Sequence, residues 1–189
     1  CDDGHRLGIW DIRNPGTYIV DARCQNGIPP QIKGMKWAPQ QQYTEYISTQ
    51  NKGQCDVLCT VGDHHIKLWS FKRPVVNSLG TQENAVILQR SCILGPMGKQ
   101  VSAPKVYTCC DFISNSDGSS DTVVGGSNGV VYLFKKNTCF AVKNDIHGGV
   151  ACLQVDGEVI AVGGASGVVK VRHSRSLHNP LGVPTHTAP

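Results

Sequence analysis

Two short segments contain residue types that could carry chemistry. The first places the imidazoles of His64 and His65 beside Asp63, a combination that can bind a metal ion or exchange protons. Successive strand residues point to opposite sides, so the two imidazoles would not converge. The second is the glycine-rich segment 125–129, which joins two apolar runs, whereas a phosphate-binding loop leads into a helix. We therefore predict a strand-to-strand turn at both places, with His65 in a structural role.

Catalytic and metal-binding arrangements are not evident elsewhere in the sequence. No set of Ser, His and Asp residues is spaced so that a catalytic triad can be argued. No Cys-x-x-Cys pair occurs, and no further ligands stand at zinc spacing from His64 and His65. We expect a protein that is not an enzyme and that uses neither a metal ion nor another cofactor.

The composition is that of an ordinary globular protein, with 40% hydrophobic and 17% charged residues. Its 21 glycines and its 6% of aromatic residues favour many tight turns over long helices. The formal net charge of +4 is mild and typical of a solvated, mixed-charge surface. No apolar run reaches the roughly 18 residues of a membrane span.

The cysteine pattern argues against a disulfide framework. The nine cysteines are odd in number. Cys55 and Cys59 would share one side of a strand, Cys109 and Cys110 are adjacent, and Cys152 lies within an apolar strand. We predict reduced, buried thiols and a cytoplasmic location.

A repeat of a turn followed by an alternating strand is the main organising feature. It occurs at 2–13, 61–72, 125–136 and 163–174. Small residues precede each turn and allow close approach of neighbouring strands. The last two copies are separated by about 40 residues, the length of one propeller blade. Residues predicted to mark equivalent repeat positions are Trp10, Asp11, Gly62, Trp69, Gly126, Phe134, His147, Gly164 and Arg172.

Further apolar strands flank each copy and complete a pattern of four strands. Four antiparallel strands in sequence form one blade of a β-propeller. An unrelated β-sandwich is the alternative fold. A helical fold is a poor alternative, because the apolar runs are short and rich in β-branched residues. We predict an all-β, partial propeller with a part-blade at 1–22, three full four-stranded blades at about 32–91, 105–144 and 148–177, and an unstructured tail or linker at 178–189.

The predicted blades are too few to close a ring, since propellers have about four to eight. Open sheet faces and edges favour aggregation. We therefore expect the remaining blades to belong to the same parent chain, a larger seven-bladed or tandem propeller.

The segments IWDIRN (9–14) and IKLWSF (66–71) resemble the ends of WD repeats. The longer segment 57–71 is similar to a blade of the echinoderm microtubule-associated protein-like family, and the resemblance extends over about residues 2–173. It implies a WD-repeat scaffold that binds tubulin or other cytoskeletal partners. Arg172 departs from the pattern, because it stands where the family has Trp. Positions that match the family blade are Thr60, Gly62, His65, Ile66 and Trp69.

Two basic pairs follow equivalent strands and should lie on one rim of the propeller. We call Lys72, Arg73, Lys135 and Lys136 the basic rim. Such a rim would attract the acidic tails of tubulin. Its alternative role is to keep strand ends soluble and unpaired. Nucleic acid is not an expected partner, because no aromatic residues alternate with the basic ones.

Long insertions offer a second place for partner binding. Residues 40–54, 74–82 and 94–104 interrupt the repeat, and loops on a rigid scaffold often carry specificity. They could equally be disordered decoration. Three functions stay open at this point: a cytoskeletal scaffold, a WD-repeat adaptor in another complex, and an enzyme that uses the central channel.

Overall fold

The computed structural model describes residues 6–23, 31–39, 55–72, 86–99, 101–144 and 146–177. Within these residues the chain forms thirteen strands and two one-turn helices, so the expected all-β class is confirmed. Neither helix has the length or the apolar character needed to cross a membrane.

The first two sheets use the amino-terminal half of the chain. The first is an antiparallel pair of strands, and the second has four antiparallel strands in chain order. The strands of the first sheet are β1 (Arg6–Asp11) and β2 (Asn14–Arg23). Those of the second are β3 (Ile32–Trp37), β4 (Asp56–Gly62), β5 (His65–Lys72) and β6 (Val86–Ser91). The helix α1 (Gly95–Gly98) follows the second sheet.

The third and fourth sheets repeat the same antiparallel order. The third has four strands, and the fourth has three. The third consists of β7 (Tyr107–Ser114), β8 (Ser120–Gly126), β9 (Val130–Lys135) and β10 (Thr138–Asn144). The fourth consists of β11 (Val150–Asp156), β12 (Val159–Gly164) and β13 (Val169–His173), and α2 (Ser174–Leu177) ends the described chain.

The fourth sheet corrects the expectation of three full blades. After β13 the chain enters α2 instead of a fourth strand, so 146–177 hold three strands only. Glu158 holds this turn of helix beside β12, since its carboxylate accepts a hydrogen bond from Arg175 at 3.0 Å. The predicted tail at 178–189 lies outside the described residues.

Strand register makes the repeat positions equivalent in space. Trp69 lies opposite Leu58, four residues before Gly62. Phe134 lies opposite the residue four before Gly126, and Arg172 opposite the residue four before Gly164. The three side chains therefore occupy the same place in the second, third and fourth sheets.

Neighbouring sheets pack face to face in chain order, so that the second and third sheets are each covered on both faces. Trp69 and Leu58 of the second sheet contact Leu7 and Ala22 of the first. The opposite face of the second sheet, with Cys59 and Leu68 among its residues, packs on the face of the third that carries Phe134. The other face of the third sheet packs on Ile160 and Val162 of the fourth. This serial stacking of antiparallel sheets is consistent with part of a β-propeller.

Candidate interaction surface

A buried hydrogen-bonded chain links three side chains on the face of the second sheet that contacts the first. The Trp69 indole N–H donates to Thr60 Oγ1 over 2.9 Å, and Thr60 Oγ1 lies 2.8 Å from His65 Nε2. All three residues are at most 3% exposed. A buried hydroxyl that serves both ring nitrogens satisfies groups that would otherwise cost free energy. These two hydrogen bonds therefore fix β4 against β5.

In the third sheet, apolar side chains stand in place of these three hydrogen-bonded residues. Val124, Val130 and Phe134 hold the equivalent positions and are at most 3% exposed. They pack against the second sheet. At these three positions apolar packing takes the place of the hydrogen bonds, so the set formed by Thr60, His65 and Trp69 belongs to the second sheet and is not a general feature of the repeat.

The pair His64 and His65 is separated by the turn, as the alternation predicted. His64 is exposed with φ of +49°, whereas His65 is buried. Burial, with a smaller contribution from the Lys67 charge, lowers the pKa of His65 to about 4. The neutral imidazole is held by Thr60, so its structural role is confirmed. Among the described residues no group of three or more His, Cys, Asp or Glu side chains could hold a metal ion.

A shallow pocket of about 320 Å³ lies beside these histidines and includes Cys92 and Tyr107. Burial raises the pKa of Cys92 to about 12, and burial together with Tyr132 raises the pKa of Tyr107 to about 12. Both side chains are neutral near pH 7. Neither supplies a nucleophile or a base there.

The glycine-rich segment 125–129 also reads Gly-x-Ser-x-Gly, the pattern of a hydrolase nucleophile turn. That turn must lead from a strand into a helix, whereas this one joins β8 to β9. Ser127 Oγ accepts a hydrogen bond from the Val106 N–H at 3.3 Å. Ser127 therefore ties a hairpin to the start of its own sheet.

The repeat glycines lie where neighbouring atoms leave little room for a side chain. A Cβ on Gly62 would lie 1.8 Å from the Gln31 carbonyl oxygen. One on Gly126 would meet Asn128 at 2.5 Å, and one on Gly164 would meet Ile146 at 2.4 Å. None of the three glycines has a positive φ. Close backbone approach therefore requires glycine at Gly62, whereas a side chain at Gly126 or Gly164 would have to displace a neighbouring side chain.

The remaining repeat positions are exposed or lie in turns. Trp10 in β1 is 50% exposed. Asp11 follows it and accepts hydrogen bonds from the Arg13 backbone N–H at 2.9 Å and from Arg13 Nε at 3.2 Å. His147 is an exposed residue ahead of β11, and its carbonyl oxygen accepts a hydrogen bond from the Ser166 hydroxyl at 3.4 Å.

The basic rim lies at one end of the sheets. Lys72 ends β5, Lys135 ends β9, and Lys136 begins the next turn with φ of +56°. Arg73 lies outside the described residues. Acidic residues occupy the same end of the sheets, so the charge there is of mixed sign. They are Asp56, Asp117, Asp156 and Glu158.

One of these carboxylates is coupled to the basic rim. The pKa of Asp117 is lowered, mainly by hydrogen bonds from the Ser119 hydroxyl and backbone N–H, with a smaller contribution from the Lys135 charge. Such exposed charges are screened by salt over about 8–10 Å. The rim would attract an acidic partner only weakly unless the partner contacted the lysines directly.

A groove of about 380 Å³ lies at the same end, between the first strands of three sheets. The Asp111 carboxylate lies at its base, with a side chain only 6% exposed. It accepts hydrogen bonds from the Val155 and Phe112 N–H groups, both at 2.9 Å, and pairs with Lys36 Nζ at 3.2 Å. Trp37 is 46% exposed at the mouth of the groove. Asp111 thus joins the second, third and fourth sheets.

Sequence reasoning did not identify Asp111 or Lys36. Asp111 sits between the apolar residues Cys110 and Phe112, and a carboxylate in an otherwise buried strand was the available signal. Its partners lie on strands far apart in the chain, which the repeat alone does not align.

The cysteines are free thiols throughout the described residues. Burial raises the pKa of Cys109 to about 11 and that of Cys139 to about 11. Cys55 and Cys59 are buried as predicted, but Cys152 is exposed on the outer face of the fourth sheet. The expectation of burial fails there because no sheet of the described chain covers that face.

Comparison with known proteins gives structural matches only. No protein-family model and no curated protein matches the sequence. A chain of the Chaetomium thermophilum Polycomb Repressive Complex 2 bound to GSK126 is similar, with a TM-score of 0.53 at 9% identity. The match covers 90% of this chain and 31% of that chain. This chain therefore spans about a third of the length of the chain that it matches.

Two further solved structures support the same fold. The computationally designed Ika4 protein matches with a TM-score of 0.53 at 14% identity, covering 89% of this chain and 79% of that one. A humanized mutant of the same Chaetomium complex, bound to the inhibitor GSK343, matches with a TM-score of 0.51 at 10% identity over 75% of this chain and 28% of that chain. Similarity at this level of identity defines a class: all-β proteins built from repeated antiparallel sheets.

Proposed function

We propose that the chain is part of a WD-repeat propeller that acts as a non-catalytic scaffold for other proteins, most specifically as a microtubule-associated protein. The observation that carries the WD-repeat assignment is the hydrogen-bonded chain of Thr60, His65 and Trp69. It combines the His, Thr and Trp residues that pin many WD-repeat blades. Its position at a sheet-to-sheet contact makes its role structural.

The scaffold role is supported by the chemistry of the polar groups. The carboxylate of Asp111 is engaged by two backbone N–H groups and one ammonium group. The imidazole of His65 is engaged by a hydroxyl group and is neutral. Groups that are buried and satisfied stabilise a framework, whereas a catalytic group must be free to exchange protons with a substrate.

Binding to microtubules is proposed through the basic rim, because Lys135 and Lys136 are exposed at one end of the sheets. The test is co-sedimentation of the full chain with microtubules at low and raised salt. We expect binding at low salt that weakens as salt rises, since screening removes the attraction between lysines and acidic tails.

A variant with Lys135 and Lys136 replaced by Gln should bind about tenfold more weakly, a loss of about 1.4 kcal/mol. The control replaces Lys33 and Lys105 by Gln; both are exposed and lie at the opposite end of the sheets. Equal weakening in both variants would assign the effect to net charge and not to the rim.

The second candidate is a WD-repeat adaptor of another multiprotein complex. The mixed charge of the rim, with Asp56 and Asp117 beside the lysines, favours it. Failure to co-sediment with microtubules even at low salt would reject the cytoskeletal proposal and leave the adaptor.

A further inference from the structure

The pocket beside His64 and His65 combines apolar walls with a buried phenol group. It has a volume of about 320 Å³ and lies between the second and third sheets, where the chain leads from β6 into β7. Both of these sheets have four strands, so the pocket is formed within the described part of the chain. Its apolar lining residues are Ile66, Leu94, Ala103 and Pro104.

The Tyr107 hydroxyl group has no hydrogen-bond partner among the described residues. Tyr107 is 6% exposed, and its ring packs edge-on against that of Tyr132, with 5.7 Å between the centroids. The Tyr132 hydroxyl accepts a hydrogen bond from Asn128 Nδ2 at 2.8 Å, whereas nothing in the described chain bonds to that of Tyr107. The Tyr107 hydroxyl is not sealed from solvent, and the pocket is the opening beside it. A buried phenol usually has a partner, so the pocket offers a place for an acceptor.

The lining of the pocket carries no negative charge near pH 7. It contains no Asp or Glu residue. Burial raises the pKa of Cys92 to about 12, and burial together with Tyr132 raises the pKa of Tyr107 to about 12. The Tyr107 hydroxyl therefore keeps its proton and can donate it to an acceptor on a ligand.

The surroundings of the pocket are positively charged. The described residues that form and flank its lining, 63–67, 91–99 and 101–107, contain three lysines and one acidic residue, Asp63. Lys67 lines the pocket, and Lys105 adjoins it because the Lys105 carbonyl oxygen accepts a hydrogen bond from the His64 N–H at 3.2 Å. An anion is therefore attracted to this opening.

An anion attached to a short apolar group matches this lining. The volume lies at the low end of the roughly 300–1,000 Å³ of ligand pockets, so it suits one apolar side chain and not a folded segment. A hydrogen bond from Tyr107 to a carboxylate is stronger than one to a neutral carbonyl group. In a protein, the carboxy-terminal residue is the one that joins an apolar side chain and a carboxylate at the same carbon atom.

We propose that this pocket binds the carboxy-terminal residue of a partner protein, with an apolar side chain against Ile66, Leu94 and Pro104 and the carboxylate at the Tyr107 hydroxyl group. The choice of a protein as the source of the carboxylate rests on the proposed scaffold function. The pocket lies at the opposite end of the sheets from the basic rim. Binding here and co-sedimentation with microtubules can therefore fail separately.

The direct test titrates the ¹⁵N-labelled full chain with acetyl-Ala-Leu, which ends in a free carboxylate, and follows the backbone amide signals of His64 and Lys105 by NMR. The comparison probes are the same peptide with a carboxy-terminal amide, and 4-methylpentanoate, a free acid with a similar apolar group. We expect saturable shifts with a Kd of roughly 0.1–1 mM, the range that a ligand of this size reaches. The amide and the free acid should each bind at least about tenfold more weakly, since one lacks the charge and the other lacks the peptide groups.

Equal binding of the peptide acid and the peptide amide would remove the carboxylate from the proposal. Binding of 4-methylpentanoate as tight as that of the peptide would assign the pocket to a small free acid and overturn a protein partner. An absence of shifts with all three probes would overturn the site itself.

Tyr107→Phe should weaken binding of acetyl-Ala-Leu about tenfold, because it removes one charge-assisted hydrogen bond. Its urea midpoint should stay unchanged, since the lost hydroxyl has no partner in the described chain. Tyr132→Phe is the matched control, because it removes a hydroxyl that Asn128 holds outside the pocket lining. This control should lower the urea midpoint and leave peptide binding unchanged. Unchanged peptide affinity in Tyr107→Phe would contradict the contact with the carboxylate.

Ala103→Phe fills the pocket and should abolish peptide binding. Ala165→Phe is its control, because Ala165 is exposed in the turn of the fourth sheet at the same end. Binding that survives equally in both variants would place the peptide outside the pocket and overturn the proposal. If circular dichroism shows that Ala103→Phe does not fold, the three probes on the unchanged chain and Tyr107→Phe decide the outcome.

Discussion

At the scale of single residues, burial keeps His65 neutral, and the Thr60 hydroxyl is its hydrogen-bond partner. This hydroxyl accepts a hydrogen bond from the Trp69 indole, which leaves its own proton available for His65 Nε2 at 2.8 Å. A neutral imidazole needs no counter-charge there, whereas a protonated imidazole would place a positive charge on a residue that is only 3% exposed. The buried site therefore favours neutral His65, in agreement with the lowered pKa.

The folded state should lose stability as the pH falls from about 6.5 to 4. The pKa of His65 is about 4 in the folded chain, against about 6.5 for an unperturbed histidine. In this window the unfolded chain binds the extra proton, so each unit of pH costs up to about 1.4 kcal/mol. Urea unfolding at several pH values measures the slope.

His65→Gln should reduce that slope by about one proton, together with lower stability near pH 7. The control is His147→Gln, because His147 is exposed and should leave the slope unchanged. An identical slope in His65→Gln and the unchanged chain would contradict a buried neutral imidazole.

At the scale of the hairpin, glycine serves two separable purposes. Gly129 and Gly118 both have φ of +82°, which strains any other residue. A Cβ at Gly129 would also lie 1.8 Å from the Ile146 carbonyl oxygen, whereas one at Gly118 meets nothing within 4 Å. The Gly129 carbonyl oxygen accepts a hydrogen bond from the Ile146 N–H at 3.1 Å, so this hairpin is bonded to the connection that leads from the third sheet into the fourth.

Gly118→Ala should cost about 1–2 kcal/mol through backbone strain alone. Gly129→Ala should cost clearly more, about 3 kcal/mol or above, because the backbone contact between the hairpin and the connection at Ile146 must also open. Thermal or urea unfolding of the two variants gives the difference. Equal losses would mean that the hairpin and the connection can move apart without cost at this point.

Turn length explains why the repeat could be predicted from the sequence although its copies do not align residue by residue. The β4–β5 turn has two residues, 63 and 64, and the β8–β9 turn has three, 127–129. In the fourth sheet the Gly164 N–H donates to the Val168 carbonyl oxygen, which leaves three residues, 165–167, in the turn. A letter-by-letter alignment from the glycines would pair Trp69 with Leu133. Phe134 is identified correctly as the equivalent of Trp69 by its large side chain in an alternating strand. The strand pairing fixes this position, whereas counting from the glycine across turns of different length does not.

At the scale of the whole molecule, contacts between sheets were only partly predictable. Buried strands such as β8 can be predicted from a run of apolar and small residues. The ion pair of Lys36 and Asp111 does not, since nothing in either segment specifies which strand lies beside it. The three-stranded fourth sheet was also missed, because the pattern at 163–174 resembles the complete blades until the chain turns into α2.

Asp111 offers the test of how tightly the sheets are coupled. In Asp111→Asn the side chain keeps its shape but loses its charge, so the Lys36 ammonium and the Val155 N–H compete for one weaker acceptor. We expect a loss of about 1.5–3 kcal/mol, the range for hydrogen bonds to charged groups. Hydrogen exchange at the Val155 amide should accelerate more than at Val142, which lies on β10 and makes no contact with Asp111.

Lys36→Met should cost less than Asp111→Asn, because the Lys36 side chain is 39% exposed and the carboxylate keeps both backbone donors. Asp156→Asn, at the exposed end of β11, is the matched control and should change stability little. If Asp111→Asn behaved like Asp156→Asn, the three sheets would be held by their apolar faces alone, and the carboxylate would be incidental to their stacking.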